Sequence, residues 1–301
     1  PKTGTAEYWD GPHQWITPAE MGKRASPYID QTERAITDAG LQNSSARLLP
    51  PQSVILSSRA PIGHLVINTA PMATNQGCKG LVPRSGLDCK YLYYYLASIV
   101  PLLNDLGTGA TFKELSGGKL KGVPVPVPSL PEQHRIVAIL DEAFAGIATA
   151  RTHAEQNLQN ARALFQSQLQ AVFSHAWQIG EIFSLSDLAT DITDGDHMPP
   201  PKSDAGVPFI TIGNIQKDTR RIDFSDTFKV PREYFDGLKA NKKPKVGDVL
   251  YTVTGSFGIP VLVEEDEKFC FQRHIGLVRP KAGISSAWLY YLLMSPQVFK
   301  Q

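Results

Sequence analysis

The chain has 301 residues, of which 42% are hydrophobic and 20% charged, enough apolar material for two ordinary cores and too much for a disordered chain. Thirty Lys and Arg against 29 Asp and Glu leave a net charge of +1, so a phosphate-binding surface has to come from local clustering. Three cysteines, Cys78, Cys89 and Cys270, without C-x-x-C spacing argue against a disulfide framework or a zinc finger, and no apolar run reaches the roughly 18 residues of a membrane span.

In chain order, "WITPAEM" (15 to 21) comes first, followed by "SVILSSRAPIGHLVI" (53 to 67). The latter reads as a β-branched strand, a small-residue turn around Gly63 and a second strand. "NQGCKGLVP" (75 to 83) precedes the Leu-rich amphipathic helical stretch "YLYYYLAS" (91 to 98). "GTGATFKELSGGKLKGVPVPVP" (107 to 128) then ends in a Pro-rich strand.

At Ser129 the pattern changes abruptly. Ser129 and Glu132 fit an S-x-x-E capping box, with Pro131 in the first turn where its missing N–H costs nothing. Val137, Leu140, Phe144, Ile147, Ala154, Leu158, Ala161, Phe165 and Val172 then step by threes and fours, with Arg151 and Gln168 as polar exceptions. The spacing predicts a spacer helix over 129–177, its stretch 130–175 running roughly 65 to 70 Å at about 1.5 Å per residue. It either packs on its own domain or docks in a coiled coil; so narrow a seam over such a length favours the second.

Beyond the helix the earlier blocks return in the same order. "FITIGNI" (209 to 215) lies over 15–21, and "DVLYTVTGSFGIPVLV" (248 to 263) lies over 53–67 with Gly258 on Gly63. "FQRHIGLVRP" (271 to 280) and "WLYYLLMS" (288 to 295) lie over the other two blocks, pairing Gln272 with Gln76 and Gly276 with Gly80. A period of about 195 residues is far longer than a solenoid repeat, so the chain reads as two copies of one domain, 1–128 and 178–301. Most of "IFSLSDLATDITDGDHMPPPKS" (182 to 203) has no counterpart before Pro1, and copy two stops at Gln301, short of a second capped helix. The expectation is a fragment that starts inside one repeat and ends inside the next.

"SSRAPIG" (57 to 63), "NQGCKGL" (75 to 81), "YLYYYL" (91 to 96) and "GTGATFKELSGGKLKGVPVPVPSLPEQHRI" (107 to 136), followed by the heptad helix, resemble the DNA-specificity subunit of type I restriction-modification enzymes. The resemblance implies an α/β (α+β) fold with two target-recognition domains joined by a long coiled-coil spacer helix. Each domain would read one half of a split site in double-stranded DNA, and a second, antiparallel spacer helix would follow the second domain. It also implies a cytoplasmic, non-catalytic subunit that binds no cofactor. Partner methyltransferase subunits would use S-adenosylmethionine, and a restriction/translocation subunit would use ATP and Mg. In the family these assemble on the spacer helices, here along Val137, Leu140, Phe144, Ile147, Leu158, Phe165 and Val172.

A DNA reader needs Lys and Arg for phosphates, and Arg, Lys, Asn or Gln for base edges. The candidates are Lys23, Arg24, Arg34, Arg47, Arg59 and Lys113 in copy one, and Lys217, Arg220, Arg221, Lys242, Lys243 and Arg273 in copy two. Taken singly, each fits a solvated surface charge better than a DNA contact; the run "KANKKPKVGD" (239 to 248), taken together, fits phosphate contact better. Arg59 stands where copy two has Thr254, and Pro61 where it has Ser256, so the two half-sites are expected to differ.

Other motifs have blander readings. Tyr93, Tyr94, Tyr95, Tyr290 and Tyr291 fit core packing better than base stacking. His134 and His153 lack a matching ligand pair, and "LGTGA" (106 to 110) lacks the context of a nucleotide-binding loop. "EEDEKF" (264 to 269) reads as a charged hairpin tip, and the three thiols as reduced and mostly buried. No catalytic residue and no metal site is expected. Two rivals stay open: the recognition portion of a fused restriction-methylation enzyme, and a coiled-coil interaction protein without a DNA role.

Overall fold

The computed structural model describes residues 1–109 and 113–299; Ala110, Thr111 and Phe112 of the GTGATF stretch, with Lys300 and Gln301, lie outside the described residues. The chain divides into two compact units, Pro1–Thr152 and His153–Gln301.

In the first unit, Trp9–Ile16 pairs antiparallel with Ala35–Ile36 and parallel with Met72–Thr74. A second sheet has the order Tyr28–Ile29, Ile62–Asn68, Val54–Ser58 and Cys78–Leu81, the last three antiparallel. All five residues of Val54–Ser58 are buried, as a central strand requires. Helix Cys89–Ser98, capped by the Asp88 carboxylate on Tyr91 N, lays Leu92 and Leu96 on Val54 and Ile67. That tyrosine-rich helix also receives the Val-Pro segment 123–128, which, contrary to the expected Pro-rich strand, pairs with no sheet. Proline has no N–H to give a sheet, so the segment is held by its carbonyls: Tyr95 Oη donates to Pro124 O (2.5 Å), Tyr91 Oη to Pro126 O (2.8 Å) and Gln133 Nε2 to Pro128 O (2.8 Å).

The second unit repeats this plan. Val207–Ile210 pairs antiparallel with Phe228–Val230 and parallel with Cys270–Phe271. Pro260–Leu262, Val249–Thr252 and Ile275–Pro280 form the antiparallel trio, under helix Ser286–Met294, whose Leu289 and Leu293 pack with Val249 and Val278. Gly63 (φ +113°) and Gly258 (φ +87°) share the left-handed backbone region at the same place in the two trios, and a Cβ on Gly63 would lie 2.6 Å from Val100 Cγ1. The fourth strand differs. Tyr28–Ile29 lies parallel beside Ile62–Asn68 in one unit, whereas Ala189–Asp194 lies antiparallel beside Ile275–Pro280 in the other. The "EEDEKF" stretch is not a hairpin tip: it connects Pro260–Leu262 to Cys270–Phe271, strands of two different sheets.

The long helix runs from Leu130 to Ile179, 50 residues. Within the first unit Tyr94 stacks on Phe144 (5.6 Å, 18°), and Asp141 accepts hydrogen bonds from Lys90 Nζ (2.6 Å) and Tyr94 Oη (2.5 Å). Within the second, Phe165 meets Tyr291 (6.4 Å), the repeat equivalent of Tyr94, while Leu169 and Phe173 are buried with Met294. Between Glu142 and Gln168 every helix residue is exposed, including Ile147 and Leu158. Among the described residues no helix is long and apolar enough to cross a membrane.

Candidate nucleic-acid interface

In each unit, the loop leaving the central strand sits beside the turn that opens the strand paired to it. In the first unit these are loop 59–61 and turn 75–78. Ser57 Oγ donates to Pro61 O (2.8 Å) and accepts from His64 N (2.8 Å), pinning the loop across its neck. Ser58 N donates to Gly77 O (2.7 Å), and Asn75 Oδ1 accepts from Gly77 N (2.7 Å), which fixes the turn. The second unit uses the equivalent atoms: Thr252 Oγ1 donates to Ser256 O and accepts from Ile259 N (2.9 Å). Each partner lies 195 positions from its counterpart, so the duplication holds to individual hydrogen bonds.

The side chains carried on this shared backbone differ. Arg59 lies against Gly77, where a Cβ would stand 3.2 Å from the Cγ and Nε of Arg59. Its guanidinium lies 3.9 Å from the Glu114 carboxylate, both partly exposed. Arg47, Asn75, Gln76 and Lys79 line an adjoining hollow of about 320 Å³. In the second unit Thr254 stands at the Arg59 position and shares a hydrogen bond with Nδ1 of His274, which the ladders and turn hydrogen bonds place at the Gly77 position, one residue off the sequence pairing, so that exposed Arg273 takes the place of Gln76. Lys242 braces this turn from behind: its Nζ donates to Gly195 O (3.1 Å) and lies 3.8 Å from Asp196, whose carbonyl accepts from Arg273 N (3.1 Å).

Arg47 and Arg59 therefore gather at one turn, and Arg273 lies at its equivalent, with Lys242 behind it. The other candidates lie apart. Lys23 pairs with Glu33 (3.1 Å), Arg24 with Glu20 (3.1 Å) and the Gln31 carbonyl, and Arg34 lies 3.7 Å over the Trp9 ring. Lys113 is exposed beside Glu114. Lys217, Arg220 and Arg221 belong to the turn 216–221, where Arg220 and Arg221 share a hollow of about 310 Å³ with Tyr290, Tyr291 and Glu264. Lys243 Nζ donates to the Asp236 carbonyl (2.8 Å) over the Phe235 ring.

Periodicity and spacing missed Gln133, which is fully buried although it follows the exposed Leu130 and Pro131. Its Nε2 donates to Gly86 O and Pro128 O, and its Oε1 accepts from Asp88 N, all at 2.8 Å. The L-P-E-Q motif held the signal, since a long amide next to a run of prolines is a donor beside carbonyls that no sheet satisfies. Arg279 was missed as well. Its guanidinium binds the buried Asp248 carboxylate (2.7 Å) and Asp191 (3.1 Å), a structural ion cluster.

The tyrosines serve packing and anchoring: Tyr94, Tyr95 and Tyr291 make the contacts given above, and Tyr93 and Tyr290 pack edge-on against Tyr94 (5.4 Å) and Tyr291 (5.2 Å). Burial pushes the thiols of Cys78 and Cys270 up to about 12, so neither supplies a thiolate at neutral pH. Among the described residues no group of three or more His, Cys, Asp or Glu side chains is placed to hold a metal.

A family model described as the type I restriction modification DNA specificity domain matches residues 1–159. The MjaIX specificity subunit of a type I restriction enzyme from Methanocaldococcus jannaschii is 39% identical over 142 residues, 46% of this chain and 33% of that protein. The EcoR124I/EcoR124II specificity subunit of Escherichia coli is 32% identical over 149 residues, 47% of this chain and 36% of that protein. The chain thus spans about a third of the length of these relatives. Among solved structures, the HsdS subunit from Thermoanaerobacter tengcongensis superposes with a TM-score of 0.62 at 18% identity, over 91% of this chain and 74% of that one. A chain from a structure of type I R-M system assembly and conformational transition gives 0.68 at 18%, over 90% and 71%. At such identities these two share the fold.

Proposed function

The chain belongs to the type I restriction-modification DNA specificity family, and from that premise we propose that it is the non-catalytic recognition subunit of such a complex. It reads a bipartite, asymmetric site in double-stranded DNA and positions methyltransferase subunits on it. In this reading the chain binds no cofactor. The methyltransferase subunits use S-adenosylmethionine, the restriction/translocation subunit uses ATP and Mg, and the assembly works in the cytoplasm. The relatives named above are specificity subunits, which supports a role in recognition and not in chemistry.

The observation that carries the proposal is one loop-and-turn backbone, locked by the same hydrogen bonds in both units, with Arg59 and Gly77 in one and Thr254 and His274 in the other. Equal scaffolds with unequal side chains are what reading two different half-sites requires. The test is single-molecule methylome sequencing of a strain carrying the complete system. The expected result is adenine methylation at two unlike half-sites separated by unspecified bases; a continuous or palindromic motif would overturn the proposal.

A further inference from the structure

The long helix meets the two units by different chemistry. Within the second unit, rings and aliphatic chains meet, Phe165 with Tyr291, Phe173 with Trp288 (6.4 Å) and Leu169 with Met294, and apolar contacts of this kind have no preferred direction. They are joined by a Gln297–Ser174 hydrogen bond (2.6 Å) and an exposed Arg162–Asp218 pair (3.2 Å). Within the first unit the contacts are directional. Gln133 is 0% exposed, with its amide on the backbone of Gly86, Asp88 and Pro128, and two turns on Asp141 takes Lys90 and Tyr94. We propose that Gln133 and Asp141 form a rigid joint fixing the angle between the first recognition domain and the helix, and that this joint, as well as helix length, sets which gap between half-sites is accepted. This rests on the DNA-reading role proposed above and gives Gln133 a positioning role within it.

The Gln133 amide fits in one orientation only. Two carbonyls face its Nε2 and one N–H faces its Oε1, so a half-turn of the side chain would set oxygen against oxygen. Its partners belong to two separate segments, 86–88 ahead of the tyrosine-rich helix and Pro128 at the end of the Val-Pro segment, which Tyr91 and Tyr95 hold in turn. The start of the long helix is thereby tied to the domain on two sides. Asp141 is a second anchor eight residues on, about 12 Å along the axis, and two anchors resist the tilt that a single one would allow as a pivot. Leverage makes that resistance matter. Over 50 helical residues, roughly 75 Å at about 1.5 Å each, a tilt of about 3° moves the far end by roughly 4 Å, more than the roughly 3.4 Å between base pairs. A helix that spaces two readers therefore requires tight angular control at its near end.

The experiment measures binding of the complete methyltransferase complex, built on the full-length subunit, to duplexes carrying both half-sites at the gap found in the methylome or at one base pair more or less. Gln133→Met keeps the side chain's length and removes its three bonds. Lys90→Met with Tyr94→Phe frees the part-exposed Asp141 and keeps a ring on Phe144. Ile55→Val, in a core cluster of the first unit that contains none of the joint residues, lowers stability without touching the joint and serves as the control. The preference for the native gap is expected to fall by about tenfold in both joint variants and to stay at wild type in Ile55→Val, with base preference inside each half-site unchanged throughout. Should Gln133→Met fail to fold, as judged by its unfolding midpoint, the Lys90/Tyr94 variant decides alone. A fall in either folded joint variant, with the control unmoved, bears the inference out. A gap preference kept in every folded joint variant, lost equally in Ile55→Val, or absent from a wild-type complex that does prefer particular bases, would overturn the inference while leaving the recognition role standing. A wild-type complex without any base preference would remove both.

Discussion

A single hydroxyl holds each reading loop, and its removal is a local test of how the scaffold is built. Thr252→Val keeps the shape but leaves the Ile259 N–H and the Ser256 carbonyl without their partner, inside a neck where Thr252 is 1% exposed. The second unit should lose about 1–3 kcal/mol, read from urea unfolding, and Thr252→Ser should restore most of it. Both hydroxyl positions were visible in the sequence repeat. What they bond was not, because the acceptor carbonyls belong to loop backbone whose path no pattern of residue types records. Gln133 was illegible for a related reason: it sits on a helix turn that periodicity assigns to solvent, and its burial comes from residues 45 to 47 positions earlier.

The long helix was the most legible element, since caps and a heptad seam are local signals, and Leu130–Ile179 agrees with the expected span to within two residues at each end. Its attachment to the first unit is electrostatic as well as apolar. Burial raises the Asp141 carboxyl, but the hydrogen bonds from Lys90 and Tyr94 outweigh it and hold the group below its ordinary 3.8. A depressed folded value gives stability that is present above the ordinary carboxyl value and lost as pH falls through the folded one. The first unit should therefore weaken below about pH 4, and Asp141→Asn should flatten that part of the acid unfolding profile. Farther along, Leu158 is 53% exposed and the rings of the seam are half open, so Leu158→Glu should change the stability of the chain alone by no more than about 0.5 kcal/mol. If the seam takes a partner helix, as the family resemblance implies, the same change should weaken assembly of the complete complex, measured by sedimentation.

At the scale of the whole molecule, the duplication was readable because four blocks keep one order. The differing fourth strands were not, since Tyr28–Ile29 is a two-residue strand with no signature of its own. The helix also yields a prediction about spacing. Removing seven residues, Arg151 to Asn157, keeps the seam in phase and shortens the helix by about 10 Å. With the full-length protein's antiparallel helix shortened to match, the unspecified gap in the methylated motif should shrink by about three base pairs while both half-site sequences persist; an unchanged gap in the methylome would show that the helix does not set it. The same helix has a consequence for biosynthesis. The residues it docks on in the first unit, Lys90 and Tyr94, are already made when Asp141 and Phe144 leave the ribosome. In the second unit the order is reversed: Leu169 and Phe173 emerge more than a hundred residues ahead of Met294, against which they are finally buried. At about 5–20 residues per second, those apolar side chains wait roughly 6 to 25 s for their cover. Nascent chains stalled near residue 250 are therefore where chaperone crosslinking to the helix should be strongest, and it should fade once Met294 has emerged.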